Sequence, residues 1–104
     1  MEDRRSYFRF STKLKTLYYF EGEKERLEKC NLLNVGYKGL GVNFKQKEKN
    51  KAGTLIHLGI IIKRQLIPIS VRGIVMWVEE GANDSVAGIE LAEKLDNMTM
   101  IKLL

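Results

Sequence analysis

One cysteine, one histidine, one proline and one tryptophan in 104 residues leave few of the side chains that catalysis, cross-linking and metal binding use. Cys30 alone cannot form an internal disulfide, and the opening Met-Glu-Asp-Arg-Arg lacks the apolar run of a secretory signal, so a soluble cytoplasmic protein is expected. The longest mostly apolar run, 55–62, is interrupted by His57 and Gly59 and is far short of the roughly 20 residues that span a bilayer as a helix. His57 has no second histidine or acid at metal-ligand spacing, which favours a half-exposed structural histidine on the less apolar face of a strand. No base accompanies Cys30 or a serine in sequence. Glu79 and Glu80, adjacent on a strand, point to opposite faces, and 36–41 lacks the Gly-Lys-Ser/Thr ending of a phosphate loop. A binding module is expected rather than an enzyme, with no metal and no cofactor.

What the chain has is 44% hydrophobic residues, enough for one core, and a net charge of +5 that is unevenly placed. Residues 1–15 carry Arg4, Arg5, Arg9, Lys13 and Lys15 against Glu2 and Asp3, a net +3. Residues 45–51 carry Lys45, Lys47, Lys49 and Lys51 against Glu48, again +3, so everything else sums to −1. Two such patches steer anionic partners. Arginine is the more informative cation, because its planar fork matches phosphate oxygens or the O6/N7 edge of guanine bidentately.

Strand signals then follow one another. Residues 13–20 are aromatic-rich without Gly or Pro, and 24–33 alternate imperfectly as the return strand of a hairpin. Asn34-Val35-Gly36-Tyr37-Lys38-Gly39-Leu40-Gly41 reads as a tight turn whose glycines permit positive φ and close approach, feeding a strand through Val42 and Phe44. The lysine-rich 46–51 reads as a solvated loop. In 54–63, Ile56, Leu58, Ile60 and Ile62 fall on one core-facing side. Pro68 opens a long strand over 69–78, and 86–91 is the last strand. Asp96 is expected to cap a terminal helix whose Met98, Ile101 and Leu104 recur at helical spacing and pack on the sheet. With six strands, one short C-terminal α-helix and no parallel βαβ pattern, the fold expected is all-β, a six-stranded antiparallel barrel.

Four segments in order resemble the PilZ domain family, bacterial receptors for cyclic di-GMP. Arg5-Ser6-Tyr7-Phe8-Arg9, preceded by Arg4, matches the family's Arg-x-x-x-Arg arm. Asn34-Val35-Gly36-Tyr37-Lys38-Gly39 matches its [Asp/Asn]-x-Ser-x-x-Gly turn at both ends, with Gly36 where serine is usual. Gly73-Ile74-Val75-Met76-Trp77 looks like its Gly-x-Val-x-Trp strand, and Gly88-Ile89-Glu90-Leu91 like its closing strand. The resemblance implies a single domain over 1–104, with a flexible arginine-rich arm at 1–12, a barrel at 13–91 and a helix at 95–104. It also implies that Arg4, Arg5 and Arg9 grip cyclic di-GMP from the arm while Asn34, Gly36 and Gly39 hold it from the barrel. Trp77 either lines that site or is a core aromatic on the Val75 face. Nucleotide binding would order the arm and signal to a separate, downstream protein. Two alternatives stand beside this reading: a degenerate PilZ interaction module that binds no nucleotide, and a small basic barrel binding single-stranded nucleic acid through Lys45 to Lys51 with Tyr18, Tyr19 and Phe20 as stacking platform.

Overall fold

The structure, a computed structural model, describes residues 10–104. Six strands, β1 (Phe10–Phe20), β2 (Glu28–Val35), β3 (Gly39–Phe44), β4 (Leu55–Ile60), β5 (Ile69–Glu80) and β6 (Ser85–Leu91), precede one helix, α1 (Asn97–Leu103). All pairings are antiparallel, and the order β1-β2-β3-β6-β5-β4 closes into a barrel, so no strand edge is left open. Inward residues build one core: Tyr18 and Phe20 of β1, Leu32 of β2, Leu40, Val42 and Phe44 of β3, Ile56, Leu58 and Ile60 of β4, Val75 of β5, and Ile89 and Leu91 of β6. Tyr18 and Phe44 meet at a ring-centroid distance of 4.6 Å.

Element boundaries differ from expectation where pairing outweighs composition. β1 starts at Phe10 because Phe10 and Ser11 pair with Val35 and Asn34, so 10–12, expected in the arm, belong to the barrel. β2 starts at Glu28 and runs through Asn34 to Val35, leaving only 36–38 as the turn. Ile62 lies just past β4, half-buried against the core.

The helix also turns a different face inward. Asp96 caps it as expected, its Oδ1 accepting from the Thr99 N–H at 2.7 Å, but the buried residues are Met100 and Leu103. Met98, Ile101 and Leu104 are exposed. Two interleaved apolar stripes share this short helix, and tertiary anchors choose between them: the Thr12 hydroxyl donates to the Leu103 carbonyl at 3.2 Å and fixes the helix end against β1.

The lysine-rich loop is not uniformly solvated. Glu48 turns into the barrel's far end, where it accepts hydrogen bonds from the Tyr18 hydroxyl and from Gln46 Nε2, and its N–H donates to Ser85 Oγ at 2.9 Å. Lys51 lies 4.4 Å from the Phe20 ring centroid and pairs with Glu23.

Candidate functional site

Arg4, Arg5 and Arg9 lie outside the described residues. The structure does describe where the chain that carries them joins the barrel. Phe10 stands opposite Val35 and Ser11 opposite Asn34, so the root of the arm lies beside the strand end that enters the 36–38 turn.

The turn itself is tied down. The Gly36 N–H donates to the Gly39 carbonyl at 2.8 Å, and both glycines are buried. The Lys38 carbonyl accepts from Leu91 N–H and the Tyr37 carbonyl from Leu95 N–H, each at 2.8 Å, while the Tyr37 hydroxyl donates to Asn97 Oδ1 at 3.0 Å. The end of β6 and the segment after it thus clamp the turn from behind. Of the two purposes expected of its glycines, positive φ is not used: among the described glycines it occurs at Gly22 and Gly53, and not at 36, 39 or 41.

Close approach is what Gly41 provides. It pairs with Asn34, and a Cβ there would stand 2.6 Å from the Asn34 Nδ2. Next across the sheet, Gly41 pairs with Gly88, and Gly88 pairs with Trp77. A Cβ on Gly88 would have the indole Nε1, Cε2 and Cζ2 all within 2.9 Å. The outer face therefore carries one lateral row, Ser11, Asn34, Gly41, Gly88 and Trp77, drawn from five strands. The two glycines leave room for an amide leaning in from one side and an indole from the other. Three interstrand steps separate Asn34 from Trp77, roughly 14 Å.

Of the two readings of Trp77, the barrel favours the outer one. A register shift between Val75 and Trp77 breaks the alternation of β5, so Val75 and Val78 face the core and Trp77, half-buried, covers Gly88 outside it. Backbone bonds at Val75, its N–H to the Thr54 carbonyl and its carbonyl from the Gly53 N–H, accompany the irregularity. Gly73 is equally constrained: a Cβ there would run into the Glu90 carbonyl, with Ile89 Cγ2 at 2.9 Å. The two strand motifs thus explain each other, since each glycine makes room for a group on the neighbouring strand. Glu90 itself is exposed and stands opposite Gly39, an acid beside the turn.

Sequence reasoning missed Gly41 and Gly88 as the floor of this row and Tyr37 as the anchor of the turn. A glycine inside a strand was the available signal, because it weakens the strand unless something approaches closely.

Elsewhere the arrangement removes one alternative's platform. Tyr18 and Phe20 are 1% and 4% exposed, so they cannot stack on bases. Tyr19 faces outward but is stacked on His57, at 4.7 Å between centroids. His57 Nε2 lies 2.6 Å from Glu21 Oε1, an acid delivered by the β1–β2 turn rather than by local spacing. Among the described residues no cluster of three or more His, Cys, Asp or Glu side chains could hold a metal, and no helix is long and apolar enough to cross a membrane.

The PilZ domain family model matches residues 3–104. No curated protein matches the chain in sequence. Among solved structures, the Bacillus subtilis inhibitor of motility (MotI/DgrA) is similar, with a TM-score of 0.69 at 15% identity over 98% of this chain. The chain spans about half of that structure, 49% of its length.

Proposed function

We propose that this chain, which belongs to the PilZ domain family, is a receptor and adaptor that binds cyclic di-GMP and passes the event to a partner protein. Domains of this family are regulatory receptor modules rather than enzymes. The observation that supports the reading most is the pairing of Phe10 with Val35 and Ser11 with Asn34. Arg9 immediately precedes Phe10 in the sequence. On this reading the Arg5–Arg9 motif and the Asn34–Gly39 turn are two sides of one site.

Cyclic di-GMP offers guanine edges and phosphodiester oxygens together, and guanidinium forks recognise both. In the proposed complex Arg4, Arg5 and Arg9 contact phosphate and guanine, Asn34 and the backbone at Gly36 and Gly39 contact the opposite side, and Trp77 supplies an aromatic surface for a base. Binding orders the arm against the barrel and makes a new surface for the partner. A loss of about 1.5–3 kcal/mol per charged hydrogen bond means that Arg9→Ala should weaken binding at least about tenfold in a calorimetric titration. NMR relaxation of residues 1–9 with and without nucleotide tests the ordering step, and unchanged relaxation contradicts it.

Gly36 favours a second reading inside the family, an interaction module that has lost nucleotide binding. It lacks the hydroxyl usual at that position of the motif, and its N–H is already engaged with Gly39. Restoring the serine separates the two readings, as argued below.

A further inference from the structure

The barrel end that holds the arm root also carries an aliphatic tip that the core does not use. Ile60 and Ile69 face each other across the β4–β5 ladder, and 61–68 loop out between them. Within this loop Ile62 packs against the core, but Leu66 is 103% exposed and Ile67 78%. Isolated exposed aliphatics are ordinary, whereas two neighbours protruding from one loop tip form a feature of their own.

Cations surround the tip. Lys63 and Arg64 are exposed in the same loop, and the Ile61 N–H donates to the Lys15 carbonyl at 3.0 Å, which brings Lys15 and Lys13 of β1 to this rim. The start of α1 borders it too, because Thr99 and Ile69 line one cleft, and the helix adds Lys102. Each ion pair among the described residues uses Glu21 or Glu23 of the β1–β2 turn at the opposite end. Lys13, Lys15, Lys63, Arg64 and Lys102 therefore have no ion-pair partner among the described residues. Among the described residues the acids near this rim are Glu93 and Asp96, and Asp96 is engaged as the helix cap.

A protruding aliphatic pair bordered by exposed cations complements a surface that is negatively charged outside and apolar beneath. We propose that this rim docks on an anionic phospholipid bilayer, Leu66 and Ile67 entering the boundary of headgroups and acyl chains while the five cations stay among the phosphates. Neither half suffices alone: a small apolar insertion is weak and reversible, and a basic patch adds attraction only where the lipid is anionic.

The test uses the full chain and sedimentation with vesicles of phosphatidylglycerol mixed with phosphatidylcholine, beside vesicles of phosphatidylcholine alone. Binding to the first and not to the second is expected. The double variant Leu66→Ser/Ile67→Ser, whose changes are on the surface and whose fold circular dichroism verifies, should lose at least about tenfold in partitioning. Lys63→Gln/Arg64→Gln should lose binding to the anionic vesicles with a reduced salt dependence. Absence of binding to anionic vesicles overturns the proposal and leaves the tip to a protein partner. Binding that the Leu66/Ile67 variant retains in full overturns it equally, because attraction would then be electrostatic without insertion.

Discussion

The indole of Trp77 lies directly over Gly88, with three ring atoms inside the space that a methyl group at residue 88 would need. Gly88→Ala must therefore move the indole or shift the strand. Overpacking of this kind costs about 1–3 kcal/mol. As Trp77 is the only tryptophan, its fluorescence reports the displacement without interference, and nucleotide affinity should fall with it. Gly59→Ala is the control. A Cβ there meets Pro68 Cβ at 3.4 Å, an ordinary contact, so denaturation should show stability unchanged or raised by about 0.5–1 kcal/mol.

Gly36→Ser needs no left-handed backbone, since φ at this position is not positive. If the rest of the site is competent, the added hydroxyl should tighten cyclic di-GMP binding about threefold to tenfold, corresponding to about 0.5–1.5 kcal/mol for one hydrogen bond. Calorimetry of the variant beside its parent reads this directly. A variant and parent that both remain silent support the interaction module instead.

At the far end, Tyr18 donates into the carboxylate of buried Glu48. Tyr18→Phe leaves that carboxylate with Gln46 as its remaining described side-chain donor, and should cost about 1–3 kcal/mol in urea denaturation. Cyclic di-GMP affinity should not change, because the Tyr18–Glu48 contact and the row from Asn34 to Trp77 proposed to bind the nucleotide occupy different parts of the barrel.

Burial pushes the Cys30 thiol up from its ordinary 9.0 to about 12, and burial reinforced by the Glu48 hydrogen bond raises the Tyr18 phenol above its ordinary 10.0. Above about pH 9 the unfolded chain releases protons that the folded protein keeps. This contribution to stability is therefore fully present below pH 9 and should be lost progressively as pH rises from about 9 to about 12. Denaturation midpoints across that range check the direction, and Cys30→Ala should flatten the lower part of the decline.

The barrel was legible in the sequence because its inward rows, such as Ile56, Leu58 and Ile60, alternate strictly, and a period of two admits one inward face. Trp77 was not legible in the same way. One irregularity after Val75 reverses its side, and nothing local in Met76 announces it. The helix face failed for another reason: Met98, Ile101 and Leu104 compete with Met100 and Leu103, and the choice depends on a contact with Thr12 from the other end of the chain. Glu48 looked like part of a solvated run because its partners, Tyr18 and Ser85, are 30 and 37 residues away. In the candidate site, the turn motif was visible as residue types, while the row joining Asn34 to Trp77 exists only through strand pairings that sequence spacing does not encode.

The most direct test of the central claim is a calorimetric titration of the folded protein with cyclic di-GMP, run on the parent and on Arg9→Ala. Saturable heat with the parent and binding at least about tenfold weaker with the variant is the predicted result. No heat from the folded parent at high ligand concentration, or equal affinity in both proteins, would contradict it.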